Sequence, residues 1–201
     1  MRSAVRNCNC QGAWRHVYAA KFAHQQDYRD NPLDLGVNYY AGELGVTRGF
    51  GQRWLESVTL KADVEVLDGD GPAAVGVARV ARAFQTPLAT SHPFQGWANR
   101  FLVTPADGVV DVFGTLGAKL AGTSFALIYH DFDAERGGHA YGQEWDAQVT
   151  HVFREYYTLG FKYARYEAAG NARNLARNGA ASAGKQAYDL GKVWAWAEMR
   201  Y

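Results

Sequence analysis

Ser57-Val-Thr-Leu-Lys-Ala-Asp-Val-Glu-Val-Leu67 decides the fold. Every second side chain, from Val58 through Leu60, Ala62 and Val64 to Val66, is apolar, and Lys61, Asp63 and Glu65 stand between them. A period of two is the mark of a strand, because successive side chains leave the backbone on opposite faces. The run is about twice as long as an ordinary soluble strand and matches the roughly 9–11 residues that a tilted strand needs to cross a bilayer.

The same pattern recurs outward from this segment. Val110, Val112, Leu116, Ala118 and Leu120 share one parity, as do Phe125, Leu127 and Tyr129. So do Trp145, Ala147 and Val149, then Tyr157, Leu159, Phe161 and Tyr163, and finally Val193, Ala195, Ala197, Met199 and Tyr201. The spacing predicts strands over Trp14–Ala23, Leu35–Thr47, Ser57–Leu67, Val110–Leu120, Ser124–Phe132, Tyr141–Phe153, Tyr156–Tyr166 and Asp189–Tyr201. Short connections at Arg48–Glu56, Ala121–Thr123 and Arg154–Glu155 alternate with long ones at His24–Asp34, Asp68–Val109, Asp133–Ala140 and Glu167–Tyr188.

Alternation alone leaves open which face points outward, since a soluble barrel or sandwich hides its apolar face. Three features favour lipid outside and water inside. Connections that are long on one side only are the habit of membrane barrels. Aromatics on the apolar parity fall into two belts, with Phe125, Phe153, Tyr157 and Tyr201 toward the short turns and Tyr129, Tyr141 and Tyr163 toward the long loops, as interfacial anchoring requires. The sequence ends on an amphipathic strand, Lys192-Val-Trp-Ala-Trp-Ala-Glu-Met-Arg-Tyr201, whose terminal Tyr201 is the expected assembly signal. The expected fold is therefore all-β: an antiparallel, up-and-down transmembrane β-barrel, with about eight strands present of a larger one.

Composition agrees with strands and turns, with 14% aromatics, 22 glycines and five prolines in 201 residues. A formal charge of +1 gives no reason to expect a nucleic-acid partner. Cys8 and Cys10 are too few and too close for a disulfide framework or a zinc site. No apolar run is long enough for a transmembrane helix, and residues 1–12 form an irregular start with no apolar core of a signal peptide. The barrel portion is expected over residues 13–201, as the C-terminal part of a longer outer-membrane protein.

On the inward parity the cations are Arg15, Lys21, Lys61, Lys119, Lys162, Lys192 and Arg200, against Asp63, Glu65, Asp111, Glu144, Asp146 and Glu198. Near balance favours cross-strand ion pairs that hold register, while a lumen for an anionic polymer would favour Lys and Arg. The loop 68–109 brings Arg79, Arg82, Arg100 and Trp97, side chains suited to sugar or carboxylate contact. It has two possible placements, folded into the lumen as a constriction or capping it from outside. Phe84, Pro87, Pro93, Phe94 and Phe101 have an alternative use in packing that loop against the wall.

Asp131, Asp133 and Glu135 lack the spacing and glycine of a calcium loop, and the six histidines show no HExxH-type spacing. Neither a GxSxG elbow nor a phosphate-cradling loop is present, and Gly49-Phe-Gly51 is only part of a dinucleotide fingerprint. No enzymatic activity and no cofactor are expected.

Ala83-Phe-Gln-Thr-Pro-Leu-Ala-Thr-Ser-His-Pro-Phe-Gln-Gly-Trp-Ala-Asn-Arg-Phe-Leu102, followed by Thr104-Pro-Ala-Asp-Gly108, resembles the alginate-export family of bacterial outer-membrane barrels. Tyr129-His-Asp-Phe-Asp133, Tyr141-Gly-Gln-Glu-Trp-Asp146 and Lys192-Val-Trp194 are similar to strand ends that follow this loop in the family, so the resemblance spans about Trp14 to Tyr201. It implies a porin-like outer-membrane channel for an anionic, alginate-like polysaccharide or a related solute, with outer-membrane lipid and the barrel-assembly machinery as partners. Family members are longer, with more strands and a signal peptide. Two other expectations compete with it: a small eight-stranded barrel that only anchors or braces, and a soluble lipocalin-like binding barrel.

Overall fold

The computed structural model describes residues 14–28, 35–69, 83–86, 95–170 and 188–200. They form eight strands: β1 (Trp14–Gln26), β2 (Gly36–Gly49), β3 (Ser57–Leu67), β4 (Val109–Leu120), β5 (Thr123–Asp133), β6 (Ala140–Phe153), β7 (Tyr157–Ala168) and β8 (Leu190–Met199). Each pairs antiparallel with the next, giving one sheet in the order β1-β2-β3-β4-β5-β6-β7-β8, and no helix occurs among the described residues. The sheet is open, with β1 and β8 as its edges. The eight described strands do not close on themselves, and their all-β, antiparallel, up-and-down order is as expected.

Hydrophobic periodicity set these boundaries to within a few residues. Ser57–Leu67 is matched end to end, and β1 continues to Gln26, three residues past the last apolar position at Ala23. That extension holds because His24, Gln25 and Gln26 pair with Asn38, Val37 and Gly36, so backbone bonds continue where the apolar pattern has stopped. Short connections lie on one side of the sheet. Ala121 and Gly122, at φ 47° and 77°, join β4 to β5 with the left-handed pair that matches strand twist. Arg154 and Glu155 take the same region between β6 and β7, at a cost of about 1–2 kcal/mol each for side chains bearing a Cβ.

The two faces differ as the alternation requires. On one, Leu44 is 70%, Leu60 58% and Val193 60% exposed; on the other, Asp111, Glu144 and Asp146 are 0% exposed. The buried face is thus the charged one, and the apolar face is open. This is opposite to a soluble sandwich, whose apolar face forms the core.

Two groups of buried apolar side chains sit on the charged face, toward the long-loop side. The larger joins Trp97, Ala98 and Phe101 to Phe132, Tyr141, Ala164 and Tyr166; the smaller joins Phe84 to Val37, Tyr39 and Leu67. Of the aromatics expected to face outward, Phe125, Phe153, Tyr157 and Tyr163 are exposed, but Tyr141 is fully buried. A bulge causes the reversal. Phe132 pairs with Gly142 and Asp133 with Ala140, which leaves Tyr141 unpaired between them and turns its side chain to the charged face.

Candidate functional site

A single hydrogen-bonding row carries most of the chemistry. It starts at Ala19 and passes through Glu43, Asp63, Phe113, His130, Glu144 and Tyr166 to Leu190, one residue from each strand. Period two places all of these on one face, and the antiparallel register brings their neighbours Glu65, Asp111 and Asp146 beside them. His130 Nδ1 lies 3.0 Å from both oxygens of Asp111, and its Nε2 lies 3.7 Å from Asp146. Its ring stacks between Phe113 and Phe132, at 4.8 Å and 5.3 Å.

The segment Gln95–Phe101 lies against this row. Ala98 N–H donates to Glu144 Oε1 at 2.6 Å, and Trp97 N–H to Asp146 Oδ2 at 3.1 Å. Gln95 Nε2 donates to Glu65 Oε2 at 2.9 Å, and Tyr39 OH fills the other oxygen of that carboxylate at 2.6 Å. From the far side, Lys192 Nζ donates to Ala98 O at 2.5 Å and Lys162 Nζ stands 4.5 Å over the Trp97 ring. Peptide N–H groups and two lysines therefore surround the paired carboxylates of Glu144 and Asp146. Their other oxygens, Oε2 and Oδ1, have no hydrogen-bond partner among the described residues.

Backbone conformation makes this approach possible. Gln95, Gly96 and Asn99 have φ of 51°, 77° and 58°, and a Cβ on Gly96 would stand 2.7 Å from the Glu144 carboxyl. Gly96→Ala is expected to weaken docking of the segment by about 1–3 kcal/mol, from left-handed strain plus the clash. Limited trypsin digestion after Arg100 checks this: faster cleavage there, with β1–β8 still protected, is the expected outcome, and an unchanged rate counts against it.

Solute contact and wall packing, the two uses expected of the loop, divide unevenly among its residues. Trp97 is buried beneath Lys162, so its ring is not offered to a solute. Arg100 donates from Nη2 to Tyr188 O at 2.8 Å and lies 5.1 Å from the Tyr166 ring. Phe101 packs on Phe132 and Tyr141 at 4.6 Å and 5.4 Å, and Phe84 stacks on Tyr39 at 5.5 Å, so both phenylalanines pack the loop to the wall. Arg79, Arg82, Pro87, Pro93, Phe94 and Tyr201 lie outside the described residues.

Of the expected inward cations, Lys61 pairs with Glu43 at 2.5 Å, the diagonal neighbour across β2 and β3. Lys119 pairs with Glu56 at 2.6 Å at the short-turn side, and with the Gly122 N–H it holds that carboxyl below the ordinary carboxylate range. Arg200 pairs with Glu198 at 2.8 Å, well away from the row. A cavity of about 230 Å³ remains between Lys21, Glu43, Lys61, Asp63, Glu65 and Phe113.

Near-balance of charge in the sequence does not survive folding. Asp63, Glu65, Asp111, Glu144 and Asp146 are all buried, and none of the seven expected inward cations is. What remains accessible among these charges is thus mainly Lys and Arg, three of them paired, Lys61 with Glu43, Lys119 with Glu56 and Arg200 with Glu198. Sequence reasoning missed Glu43, Tyr39, Gln95 and His130 as parts of the site. Glu43, Tyr39 and His130 could have been found from their parity, opposite Leu44, Tyr40 and Tyr129; Gln95 comes from the loop and meets Glu65 by a contact that alternation does not encode.

Glu135 accepts from Gly69 N–H at 3.1 Å and Arg136 Nε at 3.0 Å, and no cluster of three or more His, Cys, Asp or Glu among the described residues is arranged to hold a metal. No protein-family model, curated protein or solved structure matches the chain.

Proposed function

We propose that this chain forms the lipid-embedded wall of a bacterial outer-membrane channel that passes an anionic solute, of which an alginate-like polysaccharide is the leading example. One observation carries the reading: the sheet exposes its apolar face and buries its charged one. In water an apolar face of this extent is a liability, whereas in hydrocarbon it is the required surface. The accessible lysines on the other face supply the sign of the solute. Long carboxylated chains meet Lys162 and Lys192, on β7 and β8, rather than one deep anion pocket, while Lys61 and Lys119 already share their charge with Glu43 and Glu56.

The channel reading is tested in planar bilayers. Expected are anion-selective currents that polyuronate reduces, with Lys162→Glu and Lys192→Glu together shifting the reversal potential toward cation selectivity. Cation-selective or polyuronate-insensitive currents would count against the solute assignment. A second reading, an anchoring barrel without a pore, is favoured by the Gln95–Phe101 segment filling part of the charged face. Tight insertion into lipid with no conductance under any condition would decide for that one.

A further inference from the structure

We propose that the cavity over β1 to β4 on the charged face is a binding site for a small organic cation, an ammonium group carried on a short apolar body. The site goes beyond the channel reading and does not depend on it, since it stands on the geometry of this face alone.

The register of the strands builds the cavity. Glu43 on β2 and Asp63 on β3 are direct cross-strand partners, and the same row continues to Ala19 on β1 and Phe113 on β4. The adjacent row carries Lys21, Ala41 and Glu65. Ala19 and Ala41 bear only methyl groups where their neighbours bear long side chains, and the missing length leaves a space of about 230 Å³.

The charges around this space do not balance. Carboxylates of Glu43, Asp63 and Glu65 face the ammonium groups of Lys21 and Lys61, three against two. Glu43 takes Lys61 at 2.5 Å, and Glu65 accepts from Tyr39 OH on one oxygen and from Gln95 Nε2 on the other. Asp63 is left over. Lys61 Nζ stays 3.9 Å from its Oδ1, beyond hydrogen-bond reach, and its Oδ2 is buried with no hydrogen-bond partner among the described residues. The Asp63 side chain is only 6% exposed, so bulk water does not supply the missing donor. A buried carboxylate oxygen without a donor is costly, and the like charge of Glu43 directly opposite adds to that cost.

What the cavity lacks is therefore a hydrogen-bond donor that is also positive. An ammonium group provides both through charge-assisted bonds to Asp63 and Glu43, a neutral hydroxyl provides only the donor, and an anion provides neither. A bare metal ion fits poorly, because no three carboxylate or imidazole groups among the described residues converge on one point. The space is also far larger than an ion, equal to the share of about seven liquid waters. Its walls suit an apolar body: the methyl groups of Ala19 and Ala41, and the Phe113 ring, which stacks on His130 at 4.8 Å. An aromatic ring adds its own attraction for a cation. Lys21 is exposed, which leaves a way in from the accessible side of the face.

Titration calorimetry tests the site in the full chain, kept folded in detergent micelles or buffer, with n-butylammonium chloride as the probe. Expected is saturable binding of one butylammonium per chain, about tenfold or more tighter than butanol, butyrate or potassium. Asp63→Asn keeps the shape of the side chain and removes its charge, and should weaken binding by about tenfold or more. Ala19→Leu fills the cavity while every charge stays in place, and should weaken binding as much, so the test survives if either variant misfolds. Binding that neither substitution alters would put the ammonium elsewhere and overturn the proposal. Equal affinity for butanol would overturn it in favour of a neutral donor, equal affinity for butyrate in favour of the lysines, and equal affinity for potassium in favour of a bare ion. The absence of saturable binding would also overturn it, as expected if a proton shared between Glu43 and Asp63 already meets the need.

Discussion

Folded into phospholipid vesicles, the Leu116→Arg protein is expected to lose about 2–4 kcal/mol of stability, and Ala62→Arg and Phe161→Arg similar amounts, because each places a guanidinium at mid-strand on the apolar face, which the proposed function sets against lipid. All three positions are exposed, so none of these losses can come from a disrupted core. Thr115→Arg and Thr158→Arg, on the charged face of the same sheet, should change stability little. In detergent-free water the ranking should reverse in sign for solubility, since added charge relieves an exposed apolar face. Equal tolerance of arginine on both faces, measured by urea titration in vesicles, would show that the apolar face does not meet hydrocarbon.

The second large effect is expected at Glu144 and Asp146. Both are fully buried, and between them they accept the N–H groups of Ala98 and Trp97. Replacing both by Ala orphans two buried donors at about 1–3 kcal/mol each, and part of that is returned because two adjacent carboxylates no longer repel. A net loss of about 2 kcal/mol of segment docking follows, enough to raise its released population more than tenfold. Trypsin cleavage after Arg100, identified by mass spectrometry, should accelerate accordingly, and conductance in bilayers should rise. Glu144→Gln keeps a carbonyl oxygen for Ala98 N–H and should behave nearly as the parent. If the double Ala variant is cleaved and conducts like the parent, the carboxylates do not hold the segment.

Strand count, order and boundaries were legible because a strand imposes its period on the sequence directly: the side chains at Val58, Leu60 and Ala62 must share a face whatever surrounds them. Tyr141 was placed on the wrong face because a bulge adds one residue to the count, and its cause lies in the pairing of β5 with β6 rather than in any local motif. The charge balance was misjudged for a related reason. Counting Asp63, Glu65, Asp111, Glu144 and Asp146 against seven cations treats all as equally accessible, whereas the docked loop covers Glu65, Glu144 and Asp146, and His130 closes off Asp111.

Sequence alone determined the all-β class, the antiparallel order and the division into an apolar and a charged face, since these depend on local periodicity and on short connections. Tertiary structure alone decided that Gln95–Phe101 docks on Glu144 and Asp146, that His130 joins Asp111 across β4 and β5, and that β1 and β8 remain edges. Docking of the loop joins residues 46 and 49 positions apart, and such a contact is fixed by the shape and unmet hydrogen bonds of both partners after the sheet has formed. No period in the chain records it.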